Sequence, residues 1–390
     1  MNLNKMKILV IFGTRPEGVK LAPIIRIMKT TPNIQIFTCI TAQHREMLDQ
    51  VLDVFDIKPD IDLDLMQQNQ SLTELTVNLF THLESVITKT QPDWIIVQGD
   101  TTTVMVTCIL AYYHHIKVGH VEAGLRTHDK WQPFPEEINR KIAGAIADLH
   151  FAPTEYARQN LLNEGIEDDA ILVTGNPVID ALHSILHVPP PDHIQTILDD
   201  LLSPSGEKKR LVLVTAHRRE NFGDPIESIC RAIIRISEKY QSQIQIIYPV
   251  HLNPNIHEPV YRILDHHPNI TLLQPLDYLP LISIMKHAHL VLTDSGGIQE
   301  EATALGIPTL VMRRVTERPE GIEAGVLKLV GTDEEQIYHE TINLLEDDAA
   351  YKKMAVAKNP YGDGKAAQRI VDALLSYPHH KSIKSSVDDH

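Results

Sequence analysis

Short apolar segments alternate with amphipathic segments of helical length along nearly the whole chain, and this alternation restricts the fold more than any other sequence feature. Adjacent parallel strands need a crossover between them, and the crossover is usually a helix. The alternating order therefore predicts an α/β protein whose parallel sheets are covered by helices on both faces. The predicted strands are 7–12, 34–40, 94–97, 118–121, 149–152, 171–173, 211–214, 244–248, 270–273, 290–292 and 309–312.

A polar stretch near the middle of the chain interrupts this alternation. It begins with Val188-Pro189-Pro190-Pro191 and ends with the charged segment 203–210, a composition typical of a domain boundary. We therefore predict, in chain order, a Rossmann-like domain, a linker region, a second Rossmann-like domain, a helix that rejoins the first domain and a disordered tail, at 1–187, 188–210, 211–363, 364–377 and 378–390. Two such doubly wound sheets that face each other enclose a ligand in the cleft between them.

Composition and charge disfavour several classes of protein. A chain of 390 residues, 43% of them hydrophobic, is large enough for two cores. The formal net charge of −15 disfavours a nucleic-acid-binding surface, so local basic groups must hold any anionic ligand. No apolar stretch approaches the roughly 20 residues that a membrane-spanning helix needs. The cysteines Cys39, Cys108 and Cys230 are far apart, which suits a reducing cytoplasm better than a disulfide framework.

The sequence predicts neither a metal site nor a redox cofactor. The histidine doublets at 114–115, 266–267 and 379–380 place neighbouring rings on different faces of a helix or strand, which does not suit a shared metal ion. The run Gly362-Asp363-Gly364 lacks the third glycine of the dinucleotide-binding fingerprint and follows no strand. A Walker A lysine motif is also absent from the sequence, so ATP chemistry is not indicated.

A strand, a glycine turn and a helix are predicted in direct succession around residue 294. The turn Asp294-Ser295-Gly296-Gly297 exposes the first backbone N–H groups of the helix, where the helix dipole favours an anion such as phosphate. The acids Glu300 and Glu301 lie one turn further on, where a carboxylate can accept a hydrogen bond from a ribose or sugar hydroxyl. An ordinary strand-to-helix turn, capped by Asp294 or Ser295, explains this octapeptide equally well.

Acidic residues lie near strand ends in the first half of the chain. Asp100 and Glu122 follow two of the predicted strands, and Glu136 lies in the first turn of a helix. Each has an ordinary structural alternative. Asp100 can cap the next helix, Glu122 can pair with Arg126, and the helix dipole favours an acid such as Glu136 whatever its function.

Basic residues follow other strand ends. Arg15 and Lys20 lie in the turn and helix after the first strand, where solvated cations are common but a Gly-Thr-Arg turn favours an anion contact. His217 stands beside two arginines after the first strand of the second half, a cluster that suits a diphosphate. Arg318 belongs to a charged run after a later strand. Together with the acids, these groups predict a nucleotide diphosphate that is presented to carboxylates in the cleft.

Seven motifs, in order along the chain, resemble those of the non-hydrolysing UDP-N-acetylglucosamine 2-epimerases. They read Gly-Thr-Arg-Pro-Glu from 13, Gly-Asp-Thr-Thr-Thr from 99, His-Val-Glu-Ala-Gly-Leu-Arg from 120, Pro-Glu-Glu-Ile-Asn-Arg from 135, Thr-Ala-His-Arg-Arg-Glu-Asn from 215, Asp-Ser-Gly-Gly-Ile-Gln-Glu-Glu from 294 and Thr-Glu-Arg-Pro-Glu-Gly from 316. The resemblance extends from about residue 7 to about residue 375, nearly the whole chain.

The resemblance implies a GT-B-like fold, in which two Rossmann-like domains face each other across a cleft, and reversible epimerisation of UDP-N-acetylglucosamine at C2. It also implies a cytoplasmic enzyme, usually a homodimer, that supplies N-acetylmannosamine units for surface polysaccharides. Asp100, Glu122 and Glu136 would be the acid/base groups, and His217 would steady the departing diphosphate. The UDP-binding residues would be Arg15, Lys20, His217, Leu281, Ser295, Gly296, Gly297, Glu301 and Arg318, with Glu301 on the ribose.

The chain departs from the family pattern in two places. At Leu281, where some relatives place an aromatic residue near the uracil, apolar contact is expected to replace stacking. Some bacterial relatives also bind a second UDP-N-acetylglucosamine as an activator, and Glu46 and Asn69 stand where that site would have a glutamine and an arginine. A lost cation and a gained carboxylate disfavour a diphosphate, so we expect weak or absent activation. The retained residues of this possible allosteric site are Gln43, Gln70, Arg218 and His251.

Three other classes of protein would bind a nucleotide with the same groups. A GT-B glycosyltransferase would place an acceptor opposite the nucleotide, and a sugar-nucleotide sensor would bind its ligand without turnover. Three acids near strand ends argue against both. A hydrolysing epimerase, which releases free N-acetylmannosamine, is the nearest enzymatic alternative.

Overall fold

The computed structural model describes residues 5–41, 45–65, 70–202 and 209–377, and these residues form two parallel β-sheets. The first sheet has the strand order β3-β2-β1-β4-β5-β6-β7, with the bounds β1 Met6–Phe12, β2 Ile34–Ile40, β3 Ile61–Asp62, β4 Trp94–Gln98, β5 Lys117–Val121, β6 Leu149–Ala152 and β7 Ile171–Val173. The second has the order β10-β9-β8-β11-β12-β13, with the bounds β8 Arg210–Thr215, β9 Ile244–Pro249, β10 Ile270–Leu273, β11 Ala288–Thr293, β12 Thr309–Val311 and β13 Leu327–Leu329.

Helices connect these strands in both halves of the chain. Their bounds are α1 Arg15–Thr30, α2 Arg45–Val54, α3 Leu72–Thr90, α4 Thr102–Tyr113, α5 Glu136–Ile146, α6 Glu155–Asn163, α7 Pro177–Ile185, α8 Asp192–Leu202, α9 Asp224–Lys239, α10 Pro254–Leu264, α11 Tyr278–Met285, α12 Gly296–Ala304, α13 Pro319–Glu323, α14 Glu334–Glu346, α15 Asp348–Ala355 and α16 Ala366–Ser376. None of the helices in the described part of the chain is long and apolar enough to cross a lipid bilayer.

All eleven strands predicted from the sequence are present, with ends that shift by at most two residues, and the predicted α/β class is confirmed. Two short strands, β3 and β13, were missed. The first lies in an Ile-Asp-Leu-Asp-Leu alternation, which is a detectable strand signal. The second has three residues with a lysine at its centre, too few to show a period.

Apolar side chains cover both faces of each sheet. In β1, Ile8, Val10 and Phe12 belong to one buried cluster, whereas Leu9 and Ile11 belong to another on the opposite face. The same division occurs in β8, where alternate residues enter two different clusters. Because both faces are buried, the strands read as continuous apolar runs in the sequence instead of alternating with polar residues.

The helix α16, at the end of the described chain, packs against α1 and α7, which belong to the first half. The Asp180 carboxylate of α7 accepts hydrogen bonds from the backbone N–H groups of Ala366 (3.2 Å) and Ala367 (2.9 Å) and so satisfies the start of α16. Within the predicted linker, the structure contains the helix α8, which packs against α11. The domain boundaries stay a prediction, and the predicted tail lies outside the described residues.

The contact between Asp180 and α16 can be tested by substitution. We expect Asp180→Ala to destabilise the protein by about 1 kcal/mol, because two N–H groups at a helix start lose their acceptor. In a domain of this size, that change lowers the unfolding temperature by about 2–4 °C. The control is Asp372→Ala, which removes an acid from the exposed face of the same helix. Equal unfolding temperatures for the two variants in calorimetry would show that the Asp180 carboxylate does not stabilise the start of α16.

Candidate active site

A buried glutamate joins the loops that follow two neighbouring strands of the first sheet, β1 and β4. Glu17 Oε2 accepts hydrogen bonds from the backbone N–H groups of Gly13 (2.9 Å) and Thr14 (2.7 Å), and its Oε1 accepts one from Thr101 Oγ1 (2.8 Å). The first loop carries Arg15, whose Nη1 donates to the carbonyl oxygen of Leu276, 3.1 Å away in the second half. This role of Glu17 was not predicted from the sequence, although the Thr-x-x-Glu spacing is typical of a capping box and indicated the contact with Thr14.

Asp100 forms an ion pair instead of capping a helix. Its Oδ2 lies 2.6 Å from Arg140 Nη2, and its carbonyl oxygen accepts a hydrogen bond from Asn139 Nδ2 (2.9 Å). The cap of α4 is Thr101, whose Oγ1 accepts from the backbone N–H of Val104 (3.3 Å). The alternative of a capping role for Asp100 is therefore wrong.

Glu122 is buried at the end of β5 and has a strained backbone. Its φ of 63° lies in the left-handed region, which costs a non-glycine residue about 1–3 kcal/mol and is typical of functional sites. Lys20 Nζ and Asn176 Nδ2 both donate to Glu122 Oε2. Burial alone would raise the pKa of this carboxyl, but Lys20 and Arg318 hold it below its ordinary value.

The alternative partner of Glu122 proposed from the sequence, Arg126, is engaged elsewhere. Arg126 Nη2 lies 2.7 Å from Glu164 Oε2, and Arg126 Nε lies 2.9 Å from Glu164 Oε1. This bidentate pair fastens the loop after β5 to the end of α6. The alternative of an Arg126 ion pair for Glu122 is therefore wrong.

Glu136 and Glu137 are neighbours in the first turn of α5 but differ in environment. Glu137 accepts hydrogen bonds from the backbone N–H groups of Thr127 (3.2 Å) and His128 (3.1 Å), so its role is structural. Glu136 Oε2 is buried and has no hydrogen-bond partner among the described residues. Burial and the nearby Asp100 raise the pKa of the Glu136 carboxyl. Of the two acids, Glu136 is the one available for chemistry.

Asp294 anchors the loop that carries His217. Its fully buried carboxylate accepts hydrogen bonds through Oδ2 from the backbone N–H groups of His217 (2.7 Å) and Arg218 (2.8 Å) and from Asn221 Nδ2 (2.9 Å). Burial lowers the pKa of the His217 imidazole, against the opposing effect of Asp294. The ring is therefore neutral near pH 7 and can donate one N–H to an anion. This role of Asp294 was not predicted from the sequence.

The turn before α12 leaves its backbone N–H groups without a side-chain cap. Ser295 occupies the cap position but its hydroxyl makes no capping hydrogen bond, and Asp294 is committed to the His217 loop, so neither predicted cap exists. A side chain at Gly296 would place its Cβ 2.6 Å from Arg318 Nη1, whereas a Cβ at Gly297 would meet open space. The backbone N–H of Ser295 donates to Thr293 Oγ1 (2.9 Å), whereas those of Gly296 and Gly297 make no hydrogen bond to a described residue and are available to an anion.

Beside this turn, Glu301 is buried against Tyr278. Burial raises the pKa of the Glu301 carboxyl to about 7, although the Tyr278 hydroxyl, Lys20 and Arg15 act in the opposite direction. Leu281 is buried in the same apolar cluster as Tyr278, one turn along α11. The predicted contacts of Glu301 with ribose and of Leu281 with uracil stay predictions.

Two predicted diphosphate ligands, Lys20 and Arg318, are paired with buried carboxylates. Lys20 contacts Glu122, as described above. Arg318 Nε lies 2.6 Å from Glu300 Oε1, and Arg318 Nη1 lies 2.7 Å from Glu317 Oε1. Their contact with UDP stays a prediction, and the structure gives them a second role as counterions of acids.

The possible allosteric residues are only partly described. The His251 ring stacks on His217 with centroids 5.6 Å apart, and Arg218 Nε is buried without a hydrogen-bond partner in the described ranges. Gln70 is half-buried just before α3. Gln43 and Asn69 lie outside the described residues, as does the side chain of Glu46, so weak activation stays a prediction.

A cavity of about 360 Å³ is lined mainly by apolar side chains, among them Trp131 and Phe134, and by Asn139, which donates to the Asp100 carbonyl oxygen. The candidate acids do not line it. Over the described ranges, no group of three or more His, Cys, Asp or Glu side chains is placed to hold a metal ion.

Comparison with known proteins identifies the family of this chain. The sequence profile of the UDP-N-acetylglucosamine 2-epimerases matches residues 26–375. The chain belongs to the UDP-N-acetylglucosamine 2-epimerase family. Its relatives include the UDP-N-acetylglucosamine 2-epimerases of Salmonella typhimurium (52% identity, 95% of this chain and 99% of the relative) and Escherichia coli strain K12 (51%, 95% and 98%). The resemblance inferred from the seven motifs is confirmed.

Solved structures of family members have the same fold. The UDP-GlcNAc 2-epimerase of Neisseria meningitidis, solved bound to UDP-GlcNAc, superposes with a TM-score of 0.90 at 45% identity and covers 95% of this chain and 100% of its own. The enzyme of Methanocaldococcus jannaschii, in complex with UDP-GlcNAc and UDP, gives a TM-score of 0.82 at 35% identity, with 95% and 99% covered. The predicted GT-B-like arrangement of two Rossmann-like domains is thereby confirmed.

The buried Glu301 predicts a pH-dependent stability. In the unfolded chain a glutamate ionises near pH 4.3, whereas in the folded protein this carboxyl has a pKa of about 7. A raised folded pKa means that stability is lost as the pH rises between these two values. Glu301→Gln removes the titration, so its unfolding temperature should rise relative to the wild type between pH 5 and pH 8.

The control for this measurement is Glu323→Gln, which changes an exposed acid on α13. The difference in unfolding temperature between Glu323→Gln and the wild type should be the same at pH 5 and at pH 8. If the difference in unfolding temperature between Glu301→Gln and the wild type is also the same at pH 5 and pH 8, Glu301 is ionised in the folded protein over that range.

Proposed function

We propose that this chain catalyses the reversible conversion of UDP-N-acetylglucosamine to UDP-N-acetylmannosamine by elimination and re-addition of UDP. Family membership and the names of relatives about half identical over 95% of the chain support this activity. One structural observation carries the proposal. Three acids in different environments, Asp100, Glu122 and Glu136, follow strands of the first sheet, and an uncapped helix start suited to a diphosphate follows a strand of the second.

The chemistry of the epimerisation explains why the site needs both the acids and a diphosphate-binding turn. The C2 proton of a sugar is not acidic, because no carbonyl group stands next to it. If the bond from C1 to the UDP oxygen stretches first, positive charge at C1 acidifies the C2–H, and a carboxylate can remove the proton. Departure of UDP leaves a glycal. Re-addition of UDP to C1, with protonation of C2 from the opposite face, then gives the epimer.

The environments of two acids suit the two proton-transfer roles. Lys20 and Arg318 hold the pKa of Glu122 below its ordinary value, so this carboxylate is ionised and can accept a proton. Burial raises the pKa of Glu136, which makes it the better proton donor. Environments that drive two carboxyl pKa values apart are typical of acid/base pairs. Asp100, paired with Arg140, completes the set, and the roles exchange in the reverse reaction.

The departing UDP must stay bound until it re-adds. We propose that its diphosphate accepts hydrogen bonds at the Ser295-Gly296-Gly297 turn, with Arg15 and the neutral His217 ring on its other side. Glu301 would bind the ribose, and Lys20, Arg318 and Leu281 would complete the nucleotide site. By its family resemblance, we further propose that the enzyme is a cytoplasmic homodimer that serves surface polysaccharide synthesis.

Neutral variants of the acids test their assignment. Asp100→Asn, Glu122→Gln and Glu136→Gln should each lower kcat by on the order of 10²-fold or more, because proton transfer loses its acid or base. The affinity for UDP, measured by calorimetry, should change little. The control is Glu155→Gln, an exposed first-turn acid of α6. An acid variant that keeps the kcat of this control has been assigned wrongly.

Product analysis in D₂O tests the reaction itself. With UDP-N-acetylglucosamine as sole substrate, we expect UDP-N-acetylmannosamine to form and deuterium to accumulate at C2 of both nucleotide sugars, because the abstracted proton exchanges with solvent. Protium retained at C2 after many turnovers would contradict elimination. Free N-acetylmannosamine as the product would indicate a hydrolysing epimerase. Binding without any product would indicate a sensor or a glycosyltransferase that lacks its acceptor.

A further inference from the structure

Asn176 lies at the boundary between the two sheets and is fully buried. Its Oδ1 accepts a hydrogen bond from the backbone N–H of Val178 (3.2 Å), which caps the start of α7. Its own backbone N–H donates to the carbonyl oxygen of Tyr361 (2.7 Å). These contacts explain an asparagine, an aspartate or a serine at this position equally well, since all three are good helix caps.

The side-chain nitrogen of Asn176 makes contacts that a cap does not need. Nδ2 donates to Glu122 Oε2 (2.8 Å) and to Glu300 Oε2 (2.7 Å). An amide nitrogen carries two hydrogens, so both are used. The orientation of the amide is fixed, because the two partners of Nδ2 are carboxylates and the partner of Oδ1 is an N–H group. Asn176 therefore links an acid that follows β5 to an acid on α12.

The charges around this amide compensate one another. Lys20 of α1 contacts Glu122, Arg318 contacts Glu300, and Arg318 also contacts Glu317. Without the amide, the two carboxylates of Glu122 and Glu300 would face each other in a buried site. Like charges at such short range raise a carboxyl pKa and push the groups apart.

These contacts have two consequences for Glu122. Lys20 and Asn176 both hold Oε2 of Glu122, and Oε1 makes no hydrogen bond to any residue that the structure describes. Glu300 lies four residues after Gly296 on α12, the helix whose start is proposed to bind the diphosphate. The amide therefore connects the acid to the nucleotide-binding helix by one hydrogen-bonded path.

We infer that Asn176 is a positioning residue for the reaction, whose amide fixes Glu122 relative to α12 so that the free Oε1 faces C2 of the sugar. The inference rests on the proposed function, in which Glu122 transfers a proton. Asn176 itself contacts no reacting atom and acts through Glu122. Because Glu300 lies on α12 in the second half of the chain, Glu122 is correctly placed only when α12 and the start of α7 are in contact.

The substitution Asn176→Asp separates the two roles of the residue. Aspartate has the same shape and still caps α7, but it replaces both donors with a third carboxylate. We expect kcat to fall at least 10-fold while the affinity for UDP stays within about 3-fold. The acid limb of the profile of kcat/KM against pH should move to higher pH, because Glu122 ionises less readily beside a new negative charge. A loss of structure alone would not move this limb.

Two further variants keep the test decisive. Asn163→Asp makes the same chemical change on the exposed end of α6, where the side-chain oxygen accepts a hydrogen bond from Gln159, and it should leave kcat and the pH profile unchanged. Asn176→Ser keeps a helix cap without adding charge. If Asn176→Asp does not fold, Asn176→Ser should still show the loss of kcat at unchanged UDP affinity.

A stability measurement tests the amide contact independently of turnover. Three carboxylates crowded in one buried site should raise the folded pKa of the new aspartate, so the unfolding temperature of Asn176→Asp should fall further below the wild type as the pH rises from 5 to 8. The charges that face it are Lys20, Glu122, Glu300 and Arg318.

The outcomes separate the inference from the proposed function. If the wild type epimerises its substrate but Asn176→Asp matches Asn163→Asp in kcat, pH profile and unfolding temperature, the inference is overturned and the function stands. If the wild type forms no epimer, the proposed function fails and the positioning role fails with it. The pH-dependent loss of stability would then still establish the contact between the amide and the two carboxylates.

Discussion

A buried row of charged side chains connects the helices and loops of the two halves of the chain, and the geometry of the cleft depends on it. The row contains Lys20, Glu122, Glu300, Arg318, Glu317 and Arg313, three basic and three acidic side chains, with the Asn176 amide between the second and third. Removal of one member would leave a buried charge without its partner, at a cost of about 3–5 kcal/mol. The row therefore fixes the distance between Glu122, which follows β5, and α12, which begins at the proposed diphosphate site.

The same residue type has different tasks in this cleft because its surroundings differ. Glu17 and Asp294 accept backbone N–H groups and hold loops, Glu122 pairs with a lysine, and Glu136 keeps a buried oxygen without a partner among the described residues. The carboxylates that accept backbone N–H groups hold the loops of the cleft in place. In this loop conformation, other carboxylates keep oxygens that are available for reaction. The left-handed backbone conformation of Glu122 costs free energy, and the surrounding contacts hold the residue in that conformation.

The sequence predicted the fold class, all strands except β3 and β13, and the family, because strand periodicity and short motifs are local signals. Local signals also located the acids and the turn before α12. They did not predict which charges pair. Lys20 and Glu122 are 102 positions apart and Asn176 and Glu300 are 124 apart, and only the folded chain brings them together. For the same reason, two structural alternatives that the sequence left open were wrong: Asp294 accepts backbone N–H groups of the His217 loop instead of capping α12, and Arg126 pairs with Glu164 instead of Glu122.

The position of the bound nucleotide sugar tests the proposed roles of Glu122 and of the start of α12. A crystal structure of the protein with UDP-N-acetylglucosamine should show diphosphate oxygens about 2.7–3.2 Å from the backbone nitrogens of Gly296 and Gly297. Sugar C2 should lie next to Glu122 Oε1, with Asn176 still joined to Glu122 and Glu300. A diphosphate bound away from the start of α12, for example in the cavity beside Trp131, or a sugar that leaves Glu122 Oε1 out of reach of C2, would contradict the account.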